Sequence, residues 1–257
     1  GERGMVMAVF TLPSYPVVFK LIRDKFAYPK NVARAEVEEK YRLVFNHDRA
    51  GRLVDAQQFR HLRFPKCQFA PELLTELVEG CSESVHEDGE DLIVRHCYVE
   101  RRLRPLNLYL REVERDKAIA AIVDYGQSIK DLARSNIFPG DLLLKNFGMS
   151  RNGRAIFYDY DELCFVTDCN FRALPEARDD DEEMHSGAWY YVGENDVFPE
   201  QFPQFLGLDA GLRQALMDAH GDIFDVQWWL DLQQGLNAGR FADVPPYPQR
   251  MRLRPEL

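Results

Sequence analysis

The run FPGDLLLKNFGMSRNGRAIFYDYDE, residues 138–162, holds three groups whose types and spacing can do chemistry together: Asp141, Asn146 and Asp159. An acid, an amide five positions later and a second acid beyond a short interval suit metal-assisted phosphoryl transfer. The first acid can receive or orient the proton of an attacking hydroxyl. The amide and the second acid supply hard oxygen donors that hold Mg²⁺ against nucleotide phosphates. Between them, Asn152-Gly153 is a strong hairpin signal, with Leu142–Met149 and Arg154–Tyr158 reading as its two strands. Such a hairpin returns Asp159 toward Asn146, so that both can face one ion. Two solvated loop acids and a turn would explain each residue singly; the combination favours a site. Asp161 adds a carboxylate that can position a water or tune proton transfer.

A second set lies near the start of the chain. Lys20 sits in the apolar strand PVVFKLI, where an idle ammonium is costly, and it can reach the α- and β-phosphates of a nucleotide. A following helix offers Glu36, Glu38 and Glu39 as carboxylate partners for it, with Glu38 nearest the apolar stripe on a helical wheel. Gly1 to Met5 (GERGM) contain two glycines that let backbone N–H groups approach phosphate. Tyr98, Val99 and Glu100 would present backbone groups to adenine from a linker. Arg95, Arg101, Arg102 and Arg104 form a basic cluster near it, read as a solvated face.

These groups need elements to carry them. Met5–Phe10 and Pro16–Ile22 read as an antiparallel pair, and Asn31 as the N-cap of a helix reaching Phe45. Val37, Tyr41, Val44 and Phe45 make that helix's buried stripe. Strands are predicted at Phe59–Phe64, Cys67–Phe69 and Asp91–Val99, with a turn at Glu83–Glu90. From Pro105 to Asn136 the pattern is helical, interrupted at most near Gly126, and Phe138-Pro139-Gly140 breaks it just before Asp141. After an irregular polar stretch come helices at Ala210–His220 and Phe224–Gly235, with Trp228 and Trp229 packing the core. The acidic run Arg178–Glu183 reads as a solvated loop. The order is an α+β, two-lobed protein-kinase-like fold. Residues 1–100 form a small antiparallel β-rich N-lobe truncated at its start, and residues 101–257 a mainly helical C-lobe. The nucleotide would lie in the cleft between lobes.

Composition narrows the field. The 257 residues carry a net charge of -10, which disfavours nonspecific binding to nucleic acid. No apolar run approaches the roughly 20 residues that span a bilayer. Five cysteines without CxxC spacing read as thiols of a reducing cytoplasm, and six histidines without paired spacing predict no zinc site. The chain opens at Gly1 without an initiator Met, as if excised from a longer polypeptide.

Taken together, GERGMVM, PVVFKLIRDKF, FPGDLLLKNFGM and FYDYDELC resemble the bacterial isocitrate dehydrogenase kinase/phosphatase family along essentially the whole chain. The resemblance implies a kinase-like catalytic domain that follows a regulatory domain sensing AMP or other metabolites. It implies one site that uses ATP and Mg²⁺ to phosphorylate a serine of NADP-dependent isocitrate dehydrogenase and also removes that phosphate. That control sets flux between the citric acid cycle and the glyoxylate bypass. Carried over by position, Gly1 to Met5 belong to the nucleotide loop, Lys20 contacts ATP, Asp141 is the catalytic acid/base, and Asn146 and Asp159 ligate magnesium. The resemblance alone ties Asp55, in GRLVDAQQF, to activity. Pro139-Gly140-Asp141 stands where kinases carry HRD, Asp159-Tyr160-Asp161 where they carry DFG, and no APE is present. Two other classes stay open: a scaffolding pseudokinase that holds the dehydrogenase without catalysis, and a small-molecule kinase of similar fold. The target serine, the switch of direction and the oligomeric state, a homodimer among the options, are not legible.

Overall fold

A computed structural model describes residues 4–26, 33–47, 50–174, 191–193 and 195–241. The chain divides into two compact units. The first takes in the chain up to His47 and Leu53–Leu103; the second takes in the short segment ending at Arg52 and everything from Arg104.

In the first unit, β1 (Met7–Thr11), β2 (Val17–Ile22), β3 (Ala56–Phe59) and β7 (Cys97–Arg101) form an antiparallel sheet in the order β1-β2-β7-β3. A smaller sheet, β4-β6-β5, comprises β4 (Leu62–Pro65), β5 (Val85–Asp88) and β6 (Asp91–Val94). The predicted hairpin at the start is present, with Met7 opposite Ile22 and Thr11 opposite Val18. Strand alternation sends Ala8, Phe10, Phe19, Leu21 and Cys97 into one core with Leu77, Leu92 and Val94. The other sheet face carries Lys20, Tyr98 and Glu100, and α1 (Arg34–His47) lies on it through Tyr41. Val37, Tyr41 and Val44 are buried as the stripe predicts, whereas Phe45 is 43% exposed. The predicted N-cap, Asn31, lies outside the described residues.

Several predictions for this unit change. Cys67–Phe69 is not strand: Lys66–Gln68 is a 3-10 turn. The predicted turn Glu83–Glu90 carries β5, and Phe59–Phe64 is split between β3 and β4, which enter different sheets. Asp91–Val99 is not one strand: the chain bends at Arg95-His96, and β6 and β7 enter different sheets. Helix α2 (Pro71–Gly80) occupies a stretch where the sequence reading has no element. Its signals are Pro71 in the first turn and Leu73, Leu74, Leu77 and Val78 along one face.

The second unit contains β8 (Arg104–Pro105), β9 (Ile137–Phe138), β10 (Phe147–Met149), β11 (Ala155–Phe157), β12 (Cys164–Phe165), β13 (Asn170–Phe171) and β14 (Asp196–Val197). They make three small sheets, β11-β10-β8, β12-β9 and β13-β14. Its helices are α3 (Leu106–Glu112), α4 (Arg115–Arg134), α5 (Phe202–Phe205), α6 (Ala210–His220) and α7 (Val226–Asn237). The helical run breaks at Val113-Glu114, not at Gly126, which lies inside α4. There a Cβ would collide with the His220 ring and sit 2.9 Å from Leu216 Cδ1, so glycine permits α4 and α6 to approach. Trp229 is fully buried, stacks on Phe171 at 4.8 Å and donates to the Ile223 carbonyl at 2.8 Å. Trp228 meets its edge.

Candidate active site

Helix α4 ends at Arg134, β9 follows, and Gly140 then turns the chain with φ +79°. A Cβ on Gly140 would fall on the Glu162 carbonyl and 2.5 Å from its Cβ, so only glycine fits this close approach. Asp141 comes next. Its Oδ1 accepts the Leu143 N–H at 2.8 Å, an Asx turn that sets the loop, and Tyr125 hydroxyl holds the Leu142 carbonyl from below. Asn146, buried, ends the 3-10 turn Leu144–Asn146 that follows. Burial pushes the Asp141 carboxyl above its usual range. The Leu143 N–H opposes this, the charge of Glu162 adds to it, and Asn146 and Lys145 oppose it. A raised carboxyl is a better proton acceptor. Asp141 opens onto a cavity of about 410 Å³ lined also by Glu162, Phe198, Phe202 and Leu206.

The hairpin between Asn146 and Asp159 is present. Phe147 lies opposite Phe157, and Gly153 turns the chain with φ +72°. Leu142–Asn146 is loop and 3-10 turn where the sequence predicts strand. The Tyr158 N–H donates to the Asn146 carbonyl at 3.1 Å, so the backbone puts Asp159 one residue beyond Asn146's partner. Tyr160 is buried against Phe157, which leaves Asp159 and Asp161 half-buried on either side of it. Among the described residues no three His, Cys, Asp or Glu side chains converge as a metal cage. An amide oxygen and one carboxylate are hard donors that fit Mg²⁺, whose shell nucleotide phosphates and water would complete.

The segment ending at Arg52 braces this hairpin. The buried Arg52 side chain places Nε 2.8 Å from Asp131, Nη1 2.7 Å and Nη2 3.1 Å from Asp124, and Nη1 3.2 Å from the Ala155 carbonyl. Its own carbonyl accepts the Phe157 N–H at 2.8 Å. Sequence reasoning missed Arg52, since nothing local distinguishes it from a surface arginine.

In the first unit, Lys20 is buried in β2 with Nζ 2.7 Å from Glu100 Oε2, and Tyr41 hydroxyl donates to Glu100 Oε1 at 3.0 Å. This corrects two expectations. The carboxylate beside Lys20 comes from a strand, while the helical candidate Glu38 pairs with Arg34 at 3.4 Å and Glu36 and Glu39 are exposed. Tyr98, Val99 and Glu100 are not linker: they sit in mid-β7, paired with Lys20, Phe19 and Val18 on one side and Gln58, Gln57 and Ala56 on the other. A central strand commits its backbone groups to its two neighbours, so these three cannot offer them to adenine. The contribution of Glu100 is its side chain.

Asp55 is exposed immediately before β3. Gly1, Glu2 and Arg3 lie outside the described residues, as does the acidic run Arg178–Glu183. Gly4 folds against the Met7 carbonyl, and its own carbonyl accepts from Arg23 Nε at 3.0 Å; Met5 is exposed. Of the basic cluster, Arg95 donates to His86 at 3.0 Å and Arg104 pairs with Glu112.

Known proteins of one family resemble this chain along nearly its whole length. Residues 1–249 match the isocitrate dehydrogenase kinase/phosphatase (AceK) kinase domain. The chain belongs to that family. It is 58% identical to the isocitrate dehydrogenase kinase/phosphatase of Xanthomonas euvesicatoria pv. vesicatoria (strain 85-10), over 98% of this chain and 44% of that protein. The Anaeromyxobacter sp. (strain Fw109-5) protein of the same name is 53% identical over the same shares, 98% and 44%. That of Anaeromyxobacter dehalogenans (strain 2CP-C) is 51% identical over 99% of this chain and 45% of the relative. The chain thus spans less than half the length of these curated relatives. No helix among the described residues is long and apolar enough to cross a membrane.

Proposed function

We propose that this chain is the catalytic part of a bifunctional protein serine kinase and phosphatase acting on isocitrate dehydrogenase. The observation that carries the reading is the hairpin between Asn146 and Asp159, closed by the Tyr158 N–H on the Asn146 carbonyl at 3.1 Å, which follows directly on the Asp141 loop. Asp141, with its raised carboxyl, takes the proton of the serine hydroxyl as that oxygen attacks the γ-phosphate of ATP. Asn146 and Asp159 would hold Mg²⁺, which when bound neutralises charge on the phosphates. Lys20, aligned by Glu100, contacts the α- and β-phosphates. For the reverse reaction Asp141 and Asp161 divide the work, one protonating the departing serine oxygen and the other aligning water. Asp55 belongs to the site's activity by family resemblance. Metabolite control through AMP belongs to the part of the relatives that lies beyond this match.

The test uses the full-length protein, labelled ATP, Mg²⁺ and purified NADP-dependent isocitrate dehydrogenase. Asp141→Asn is expected to lower serine phosphorylation by roughly 10²–10⁴-fold while dehydrogenase binding persists. Transfer at the unaltered rate would overturn the assignment. Binding without transfer by the unaltered protein would instead favour a scaffold.

A further inference from the structure

Cys164 and Cys169 take no part in the chemistry above, yet their sulfurs lie 3.6 Å apart. The 3-10 turn Val166–Asp168 folds the chain back so that residues five apart meet. Both legs are anchored by neighbouring elements. Gln233 on α7 donates its side-chain amide to both the Val166 carbonyl, at 2.9 Å, and the Cys169 carbonyl, at 2.7 Å. Cys164 sits in β12, opposite Phe138 of β9, the strand that leads into Gly140 and Asp141. Exposure differs: Cys164 is half-buried and Cys169 is buried. We propose that Cys164 and Cys169 are a redox-sensitive dithiol, which hydrogen peroxide links into a disulfide that switches off phosphate transfer at Asp141. The functional half of this inference rests on the reading above; the linkage does not.

The step balances. The more exposed Cys164 thiolate attacks one peroxide oxygen, breaks the O–O bond and becomes a sulfenic acid, with one water leaving. Cys169 then attacks that sulfur, the S–S bond forms, and the hydroxyl departs as a second water with the Cys169 proton. Two electrons pass from the sulfurs to the peroxide. The hydrogen bond to Cys164, and then burial, hold the Cys169 thiol well above its usual range, so it stays protonated and Cys164 is the thiol that meets the peroxide first. A disulfide needs sulfurs about 2.05 Å apart, so they must close by about 1.5 Å. β12 is paired with β9, so closure pulls on the strand that leads into Asp141. Glu162, two residues before Cys164, is packed against Gly140 with no room for even a Cβ, so movement of β12 passes directly to the Asp141 loop. A displacement near 1 Å in such a site can cost roughly 10²-fold.

The full-length protein is treated with hydrogen peroxide, and its residual thiols are alkylated and mapped by mass spectrometry. Transfer to the dehydrogenase and amide exchange across Ile137–Leu143 are measured in parallel. Expected are a Cys164–Cys169 peptide lighter by two hydrogens, a loss of transfer of roughly tenfold or more, altered exchange in that segment, and recovery with dithiothreitol. Cys164→Ser and Cys169→Ser proteins should keep their transfer under the same treatment. Alkylation of both thiols after peroxide would overturn the proposal, as would a fully linked protein that transfers at the reduced rate. If the reduced protein transfers nothing, the functional reading has failed. The linkage and the exchange data then decide the dithiol by themselves.

Discussion

Each unit buries one basic side chain against carboxylate, and the two are built for different work. Arg52 spreads its guanidinium over Asp124, Asp131 and the Ala155 carbonyl, all fixed parts of the second unit's scaffold. A planar fork locked at three nitrogens defines where a hairpin sits. Lys20 is a compact, movable charge at the end of a flexible stem, aligned by Glu100, which Tyr41 in turn orients. Such a pair fixes where a compact point charge sits without the planar constraint of a guanidinium. A buried ion pair is therefore not one kind of object. Donor geometry separates a brace from a group held ready for an anion.

That distinction can be broken or sharpened by substitution. The largest effect belongs to Arg52→Ala, which strands Asp124 and Asp131 and should cost about 3–5 kcal/mol in denaturant unfolding. A cost near zero would show that Arg52 is no brace. Lys20→Met combined with Glu100→Gln removes both charges of the other pair. Its stability should stay within about 1 kcal/mol of the parent, while phosphate transfer falls by roughly 10²-fold. Loss of stability with transfer intact would reverse the two roles. The smallest effect concerns pH. Asp141 has its carboxyl raised, chiefly by burial and further by Glu162, so its base form disappears as pH falls through a value above the ordinary carboxylate range. The acid limb of the transfer profile should lie correspondingly high, and Glu162→Gln should move it down. By linkage, the raised carboxyl adds stability below its unfolded value and loses it as pH rises through the folded one.

The two units also differed in legibility. In the second, the site hairpin follows from local signals: Asn152-Gly153 favours a turn, and the residues on either side pair across it. The Ala210–His220 helix was equally plain, with Asp209 capping it through the Gly211 and Leu212 N–H groups. In the first unit, the partner of Lys20 is decided by the register between β2 and β7, strands 80 positions apart at Lys20 and Glu100. Lys20 lies opposite Tyr98, which makes Glu100 its diagonal neighbour on the same face. Nothing local could rank Glu100 above the nearer helical acids. Arg52 escaped notice for the same reason: its partners follow some seventy residues or more along the chain.

The central claim is that Asn146 and Asp159, brought back by the hairpin beside Asp141, hold the metal under the nucleotide. Calorimetric titration of the full-length protein with ATP, with and without Mg²⁺, tests it most directly. The account predicts that Mg²⁺ strengthens nucleotide binding in the parent and that Asn146→Ala with Asp159→Ala abolishes this gain while the fold persists. An undiminished Mg²⁺ effect in the doubly substituted protein would contradict it.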